Sequence, residues 1–378
     1  MTNIKKPQLK KADPAVLISA AIILAVYVGV FVLEQIMPPT SMLFTVLKKG
    51  ATYALVAVSI NLLNGFTGLF SLGQAGFMLI GAYTYGILTI PVAQRAAVYQ
   101  YYGGGLVQFA MPVLPALILA GLAAAAFAFL IGLPVLRLKS DYLAIATLGF
   151  AEIIRSIFQW DKLGVITNGS NMLRLFPTFN DFNIKNAEGE VVVYLSTLMP
   201  FLIAGVCIAL VVMLIHSSYG RAFQSIRDDE ISAEAMGINL AKHKQQAFCI
   251  SSFFAGVGGA MLAMYSNSVQ AKSFTSAMTY EILLIVVIGG IGSITGSCIS
   301  SFLFVAASEW WLRFLDQKQM IGNFEVPLLR NGFRLVVFSI IIMVVVLFFR
   351  QGIMGTKELP DLFRKRKPKA DGKEAAAK

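Results

Sequence analysis

The sequence predicts an all-α, polytopic integral membrane protein, and its composition is the first reason. Of the 378 residues, 57% are apolar and the mean hydropathy is +0.72, whereas a typical soluble domain is only ~45–50% apolar. Charged residues make up 13% of the chain and cluster in loops and terminal segments. About ten apolar runs approach the roughly 20 residues that a membrane-spanning helix needs. Together these observations exclude a soluble fold.

Each apolar run predicts one transmembrane helix. We place the helices at 15–36, 43–63, 66–90, 111–136, 141–160, 195–216, 245–266, 279–291, 296–315 and 332–350. The first run is too long for a signal peptide, so we expect the chain to retain it. Lys48 and Lys49 interrupt the second run. They either extend to the membrane interface or precede a helix that begins only after Gly50.

The charges of the connections orient these helices. An even number of helices puts both termini on one side, and assigning that side to the cytoplasm places most lysines and arginines inside. The predicted organisation is a basic N-terminal segment (1–14), a transmembrane domain (15–350) and a basic tail (351–378) that is expected to be disordered. No nucleic-acid-binding module accompanies the net charge of +11. We therefore expect membrane lipid, and no nucleic acid, as the contact of the tail.

Two hydrophilic segments are longer than ordinary connections. We call 161–194, expected outside, the outer loop, and 217–244, expected inside, the inner loop. In the inner loop, apolar residues recur among charges at roughly helical spacing, and Gly237 supplies a helix stop. The polar face is mostly acidic, whereas helices that lie on membranes favour lysine and arginine. A groove in a protein partner is therefore the preferred contact of the inner loop.

Residues 64–77, which we call the glycine-rich break, carry the strongest functional signal. They place four glycines and four polar side chains between two apolar runs. Backbone groups freed by such a break need partners in the protein or in a water-filled cavity. Broken helices of this kind line the substrate paths of transporters. We therefore predict a translocation path that uses polar groups from the break and from the fifth helix: Asn64, Thr67, Ser71, Gln74, Thr147 and Glu152.

Other candidate residues favour packing over chemistry. Glu152 and Arg155 are three residues apart and share a helix face, which leaves a structural pair and a part in substrate passage equally open. Three cysteines lie far apart without metal-ligand spacing, so no metal site is expected. Six glycines are candidates for close helix packing or for a gate: Gly65, Gly68, Gly289, Gly290, Gly292 and Gly296.

Five stretches together resemble the LivM-type permease subunits of branched-chain amino acid ABC transporters. They are 61–75 (NLLNGFTGLFSLGQA), 142–155 (YLAIATLGFAEIIR), 167–171 (TNGSN), 227–239 (RDDEISAEAMGIN) and 289–296 (GGIGSITG), in the order of the family. The resemblance implies a LivH-like second permease subunit, two cytoplasmic ABC ATPases, an extracytoplasmic amino-acid-binding protein and the bacterial cytoplasmic membrane. It also implies that the inner loop is the segment that seats in an ATPase, with the candidate residues Arg227, Asp228, Asp229, Glu230, Glu234, Gly237 and Asn239.

The expected function is that of a permease subunit for branched-chain or related hydrophobic amino acids. The chain has no G-x-x-x-x-G-K-[ST] phosphate loop, so we expect no cofactor of its own and assign ATP hydrolysis to partner subunits. An enzyme is disfavoured because no nucleophile–base pair or metal cluster emerges. A permease for urea, sugar or nucleoside of the same architecture stays open, as does an ion-coupled secondary transporter. Few intramembrane carboxylates, chiefly Glu152, argue against the latter.

Overall fold

Long apolar helices dominate the computed structural model, which describes residues 14–363 apart from 139, 187, 189, 313–319, 322–323, 326–335, 338, 341–342, 344–346 and 349–351. Within these residues, five helices are long and apolar enough to cross a membrane: Ile18–Ile36, Met42–Phe66, Val113–Val135, Leu198–Ile215 and Leu240–Ser266. The bent pair Tyr142–Phe158 and Asp161–Thr167 gives a sixth if it counts as one span. The helical membrane fold is confirmed, and the number of ten spans stays a prediction. Most of the predicted helix 332–350 lies outside the described residues.

The described helices are joined by short turns and two small hairpins. Their bounds are α1 Pro14–Ile36, α2 Met42–Asn61, α3 Gln74–Thr89, α4 Val92–Val98, α5 Val113–Val135, α6 Ser140–Phe158, α7 Gly164–Thr167, α8 Leu198–Ile215, α9 Ser218–Asp228, α10 Glu230–Ala235, α11 Leu240–Ser266, α12 Ser276–Gly289, α13 Ile294–Val305 and α14 Leu359–Phe363. Turns of π-helix continue α2 through Leu62–Phe66 and α13 through Ala306–Trp311. The antiparallel hairpins pair β1 Ile184–Lys185 with β2 Val191–Val193, and β3 Met320–Ile321 with β4 Phe324–Glu325.

Contacts between the helices fix their directions. α2 runs antiparallel to α11, because Ser251 Oγ donates to Ser59 O (2.6 Å) while Val56 lies against Gly258. We call the end of the bundle that carries α9 and α10 the inner end, and the end that carries the outer loop the outer end. Glu34, near the end of α1, accepts from Thr197 N (2.6 Å) at the outer end. The start of α1 and α14 therefore meet at the inner end.

Small residues let the central helices approach one another closely. A side chain at Gly81 in α3 would collide with the backbone of Gly256 in α11, and Gly121 in α5 lies under the ring of Phe253. Outer helices instead present apolar side chains to the surroundings; Met213 in α8, for example, is 70% exposed. The bundle thus has a tightly packed centre formed by α2, α3, α5 and α11, with lipid-compatible helices around it.

Lys48 and Lys49 both lie within α2. Lys48 Nζ donates to Ser196 Oγ (2.7 Å), which donates in turn to the buried carboxylate of Glu34 (2.8 Å). Lys49 Nζ forms an ion pair with Glu309 Oε1 (2.5 Å). The helix therefore begins before Gly50, at Met42, and partners in other segments satisfy both ammonium groups.

Two segments differ from their predicted structure. The predicted helix 66–90 is interrupted, since 67–73 are not helical and α3 begins only at Gln74. The first residues of the predicted disordered tail are ordered against the bundle, with Met354 N donating to Gly289 O (3.1 Å). Glu358 accepts from Ile294 N (2.7 Å) and so caps α13. Long-range contacts therefore decide both segments, and 364–378 lie outside the described residues.

Candidate functional site

The glycine-rich break is held together by its own polar side chains. Asn64 Oδ1 accepts from Ser71 N (3.2 Å), and Thr67 Oγ1 donates to Leu62 O (3.0 Å). From α6, Thr147 Oγ1 accepts from Leu72 N (3.0 Å). These side chains thus satisfy backbone groups that a continuous helix would have paired internally, as membrane depth requires.

Gln74, the first residue of α3, joins three helices in the buried centre. Its Nε2 lies 2.9 Å from Ser59 Oγ in α2 and 3.3 Å from Ser251 Oγ in α11. The following residue, Ala75, donates its N–H to Thr279 Oγ1 in α12 (3.1 Å). The structure therefore brings α2, α3, α11 and α12 together around a small polar cluster, directly beside the break.

Glu152 lies apart from the other five predicted path residues. Its Oε2 accepts from Arg155 Nε (2.7 Å) on the same helix, and its Oε1 accepts from Ser276 Oγ (2.7 Å) at the start of α12. The structural pair anticipated from the sequence is present, and it also links α6 to α12. The cluster at the break comprises Asn64, Thr67, Ser71, Gln74 and Thr147.

Asn61 is an anchoring residue that the sequence reasoning did not single out. Its Nδ2 donates to Ser293 O and to Ser297 Oγ (both 2.8 Å), and its Oδ1 accepts from Gly292 N (2.8 Å). A fully buried asparagine in an apolar helix needs such partners. An asparagine within an apolar run of the sequence is therefore the signal that could have predicted this contact. Through Asn61, the break is fixed to the glycine segment 289–296.

The inner loop contacts the break directly. In α9, Arg227 Nη1 donates to Gly65 O (3.1 Å). Its side-chain stem lies over Gly68, which has φ +74°; a Cβ there would come 3.1 Å from Arg227 Cγ. Asp228 Oδ1 accepts from Arg227 Nε (3.0 Å) and Nη2 (2.8 Å) and orients the guanidinium. A displacement of α9 would therefore act on the backbone of the break.

The tip of the inner loop is a short, capped and exposed helix. The sequence predicted helical spacing in the inner loop up to a stop at Gly237. The structure divides this segment, since α9 ends at Asp228 and α10 starts after Asp229, whose backbone is extended. Asp229 Oδ1 accepts from Ile231 N (2.9 Å), and its Oδ2 accepts from Ser232 Oγ (2.7 Å). The Ser232 hydroxyl and the backbone N–H groups of Ser232 and Ile231 lower the pKa of this carboxyl.

Large apolar side chains project from this tip. Ile231 is 82% exposed and Met236 is 84% exposed. Gly237 ends the element with φ +86°, a conformation that favours glycine, as the sequence predicted. Lys244 Nζ bonds to Glu230 Oε2 (2.7 Å) and ties α10 back to α11. The tip is thus a fixed apolar and acidic projection at the inner end.

The candidate glycines lie at close backbone contacts. Gly289 and Gly296 face each other between α12 and α13, and a Cβ at Gly290 would meet the backbone of Gly355. A Cβ at Gly65 would collide with the Asn61 side chain and come 2.7 Å from Gly292 N. These contacts agree with the packing interpretation; a gating role stays a prediction.

Comparison with known proteins identifies the family. The family model described as branched-chain amino acid transport system / permease component matches residues 42–350. The chain belongs to this family. It is 34% identical to the high-affinity branched-chain amino acid transport system permease protein LivM of Escherichia coli K12, over 72% of this chain and 65% of that protein. LivM of Salmonella typhimurium gives the same values.

The LivM-type resemblance is confirmed by these relatives, although the chain spans only about 65% of their length. The LivH permease protein of Escherichia coli K12 is 22% identical over 86% of this chain and 98% of that protein. LivM-type and LivH-type permeases therefore share sequence along most of this chain. No solved structure matches it.

Proposed function

We propose that this chain is the permease subunit of an ATP-driven importer for branched-chain or related hydrophobic amino acids. The observation that carries the proposal is the hydrogen bond from Arg227 in the inner loop to Gly65 O in the break (3.1 Å). It connects an exposed element, suited to a soluble partner, with the glycine-rich break. The family membership supports the same function, since its relatives are amino acid transport permeases.

The proposed assembly supplies what this chain lacks. It pairs the chain with a LivH-like second permease subunit, two cytoplasmic ATPases that hydrolyse the ATP, and an extracytoplasmic amino-acid-binding protein. In the bacterial cytoplasmic membrane, both termini and the inner loop would face the cytoplasm. The exposed Ile231 and Met236 at the inner end suit an apolar groove in an ATPase, because a groove of this kind can receive the apolar side chains of a short helix.

The proposed path runs past the polar cluster at the break. Asn64, Thr67, Ser71, Gln74, Thr147 and Glu152 would replace part of the hydration of a zwitterionic substrate. The Nδ2 group of Asn64 is buried without a hydrogen-bond partner in the described part of the chain, and so retains a donor for a passing carboxylate. Weak binding suffices on such a path, because the binding protein selects the substrate.

Reconstitution tests the function. The chain is purified with candidate partners into liposomes, and vanadate-sensitive leucine uptake with ATP inside is the expected result. The double variant Asn64→Ala/Gln74→Ala should lower uptake while expression and assembly persist; normal uptake would remove these residues from the path. Leucine accumulation by the chain alone under a sodium or pH gradient would refute the ATP-driven assembly.

A further inference from the structure

A cavity at the outer end has the composition of a small-molecule site. It encloses about 330 Å³, near the lower end of the volumes of ligand pockets. Five segments converge on it: the second and third turns of α2, the outer loop at Met172, the last turns of α11, the connection 268–275 and the first turns of α12. Its walls are formed by Lys49, Tyr53, Met172, Leu262, Tyr265, Ser266, Ser268, Gln270, Ser273, Phe274, Thr275, Ala277, Met278 and Glu281.

The charges at this cavity do not balance. Lys49 lines the wall and is paired with Glu309 (2.5 Å). Glu281 adds a second carboxylate to the same wall, and within the described residues it accepts no hydrogen bond and forms no ion pair. Glu34 and Glu152, by contrast, each accept several hydrogen bonds. Glu281 is exposed, so its carboxylate is open to the cationic group of a ligand.

Apolar side chains also line the cavity. Leu262, Phe274 and Met278 line it together with the ring of Tyr53. Lys49 has three N–H donors and uses one of them on Glu309. The cavity therefore presents a carboxylate, an ammonium group with further donors, and an aliphatic and aromatic surface within one small volume.

We infer that this cavity is an entry site for the zwitterionic amino acid, in which Glu281 binds the ammonium group and Lys49 binds the carboxylate. The apolar wall would receive the branched side chain. This inference rests on the proposed function and adds a substrate site to it. The described residues contain no group of three or more His, Cys, Asp or Glu side chains that could hold a metal ion.

The position of α12 links this entry site to the break. Met278 and Glu281 line the cavity, and Thr279 in the same turn accepts from Ala75 N beside Gln74 (3.1 Å). The same turn of α12 thus carries both a wall residue of the cavity and a contact with the break. The cavity forms the outer mouth of the proposed path.

The test compares two isosteric variants in the reconstituted complex of permeases, ATPases and binding protein. Glu281→Gln removes the charge at the cavity, and Glu190→Gln removes a charge from the exposed outer loop. Leucine uptake is measured over a range of leucine-loaded binding protein, beside ATPase activity and co-purification of the subunits. Glu281→Gln should lower the rate of leucine uptake per ATP by about tenfold, equivalent to about 1.4 kcal/mol.

Three further outcomes decide between the alternatives. Glu281→Asp should restore at least part of the uptake, because it restores the charge, whereas a purely structural role would not favour Asp over Gln. Equal uptake by wild type and Glu281→Gln, in a complex that transports leucine, overturns the entry site and leaves the proposed function intact. Absence of ATP-dependent leucine uptake in the wild-type complex overturns the proposed function itself.

Discussion

Substitution of Arg227 by glutamine tests how the inner loop acts on the break. The change removes the charge-assisted hydrogen bond to Gly65 O and the two bonds to Asp228. A hydrogen bond to a charged group contributes about 1.5–3 kcal/mol. Because the Arg227 side chain is 37% exposed, we take about 1.5 kcal/mol, which corresponds to roughly a tenfold effect on the linked equilibrium.

The assay is the ratio of leucine uptake to ATP hydrolysis in proteoliposomes that contain the whole complex. We expect Arg227→Gln to lower this ratio about tenfold, while ATP hydrolysis and subunit co-purification persist. Arg221→Gln is the matched control, because Arg221 lies exposed on the same helix and its side chain makes no hydrogen bond in the described part of the chain. A wild-type ratio for Arg227→Gln would refute the role of the Gly65 contact in coupling.

Three further predictions concern local structure. Gly65→Ala should prevent normal assembly or lower the thermal midpoint, because the new Cβ collides with Asn61; an unchanged melting curve contradicts the packing. Asp229→Ala should increase amide hydrogen exchange in 230–236, whereas Asp229→Asn should preserve the cap at neutral pH. Because the pKa of Asp229 is lowered on folding, its contribution is complete above the ordinary value of 3.8 and is lost as the pH falls through the folded pKa. Protection factors of 230–236, corrected for the intrinsic pH dependence of exchange, that stay constant as the carboxyl is titrated would contradict this. Glu358→Ala should destabilise α13 by about 1 kcal/mol, measured as a lower thermal midpoint in detergent.

The sequence predicted helices and helix ends correctly where the length and composition of a single segment decide its structure. The apolar runs of α1, α5 and α8 can be predicted as helices without knowledge of their neighbours. In hydrocarbon every backbone polar group must be paired, and a helix pairs these groups within its own segment. Gly237 ends its segment as predicted, because a left-handed conformation favours glycine. The break at 67–73 was expected to be functional, but its extent was not, as the predicted third helix still included it.

Contacts between distant residues decided the rest. Sequence alone left Lys48 and Lys49 with two readings, and only the positions of Ser196 and Glu309, more than a hundred residues away, place both inside α2. The same holds for Glu281, which only the fold places on a cavity wall.

By itself, the sequence determined a helical membrane protein with a polar break and a projecting inner loop, and its motifs determined the family. The tertiary structure alone decided that these two features touch, through Arg227 and Gly65. The physical reason is that helix formation in a membrane depends on hydrogen bonds within one segment, whereas partners of buried polar groups come from segments far apart in the chain.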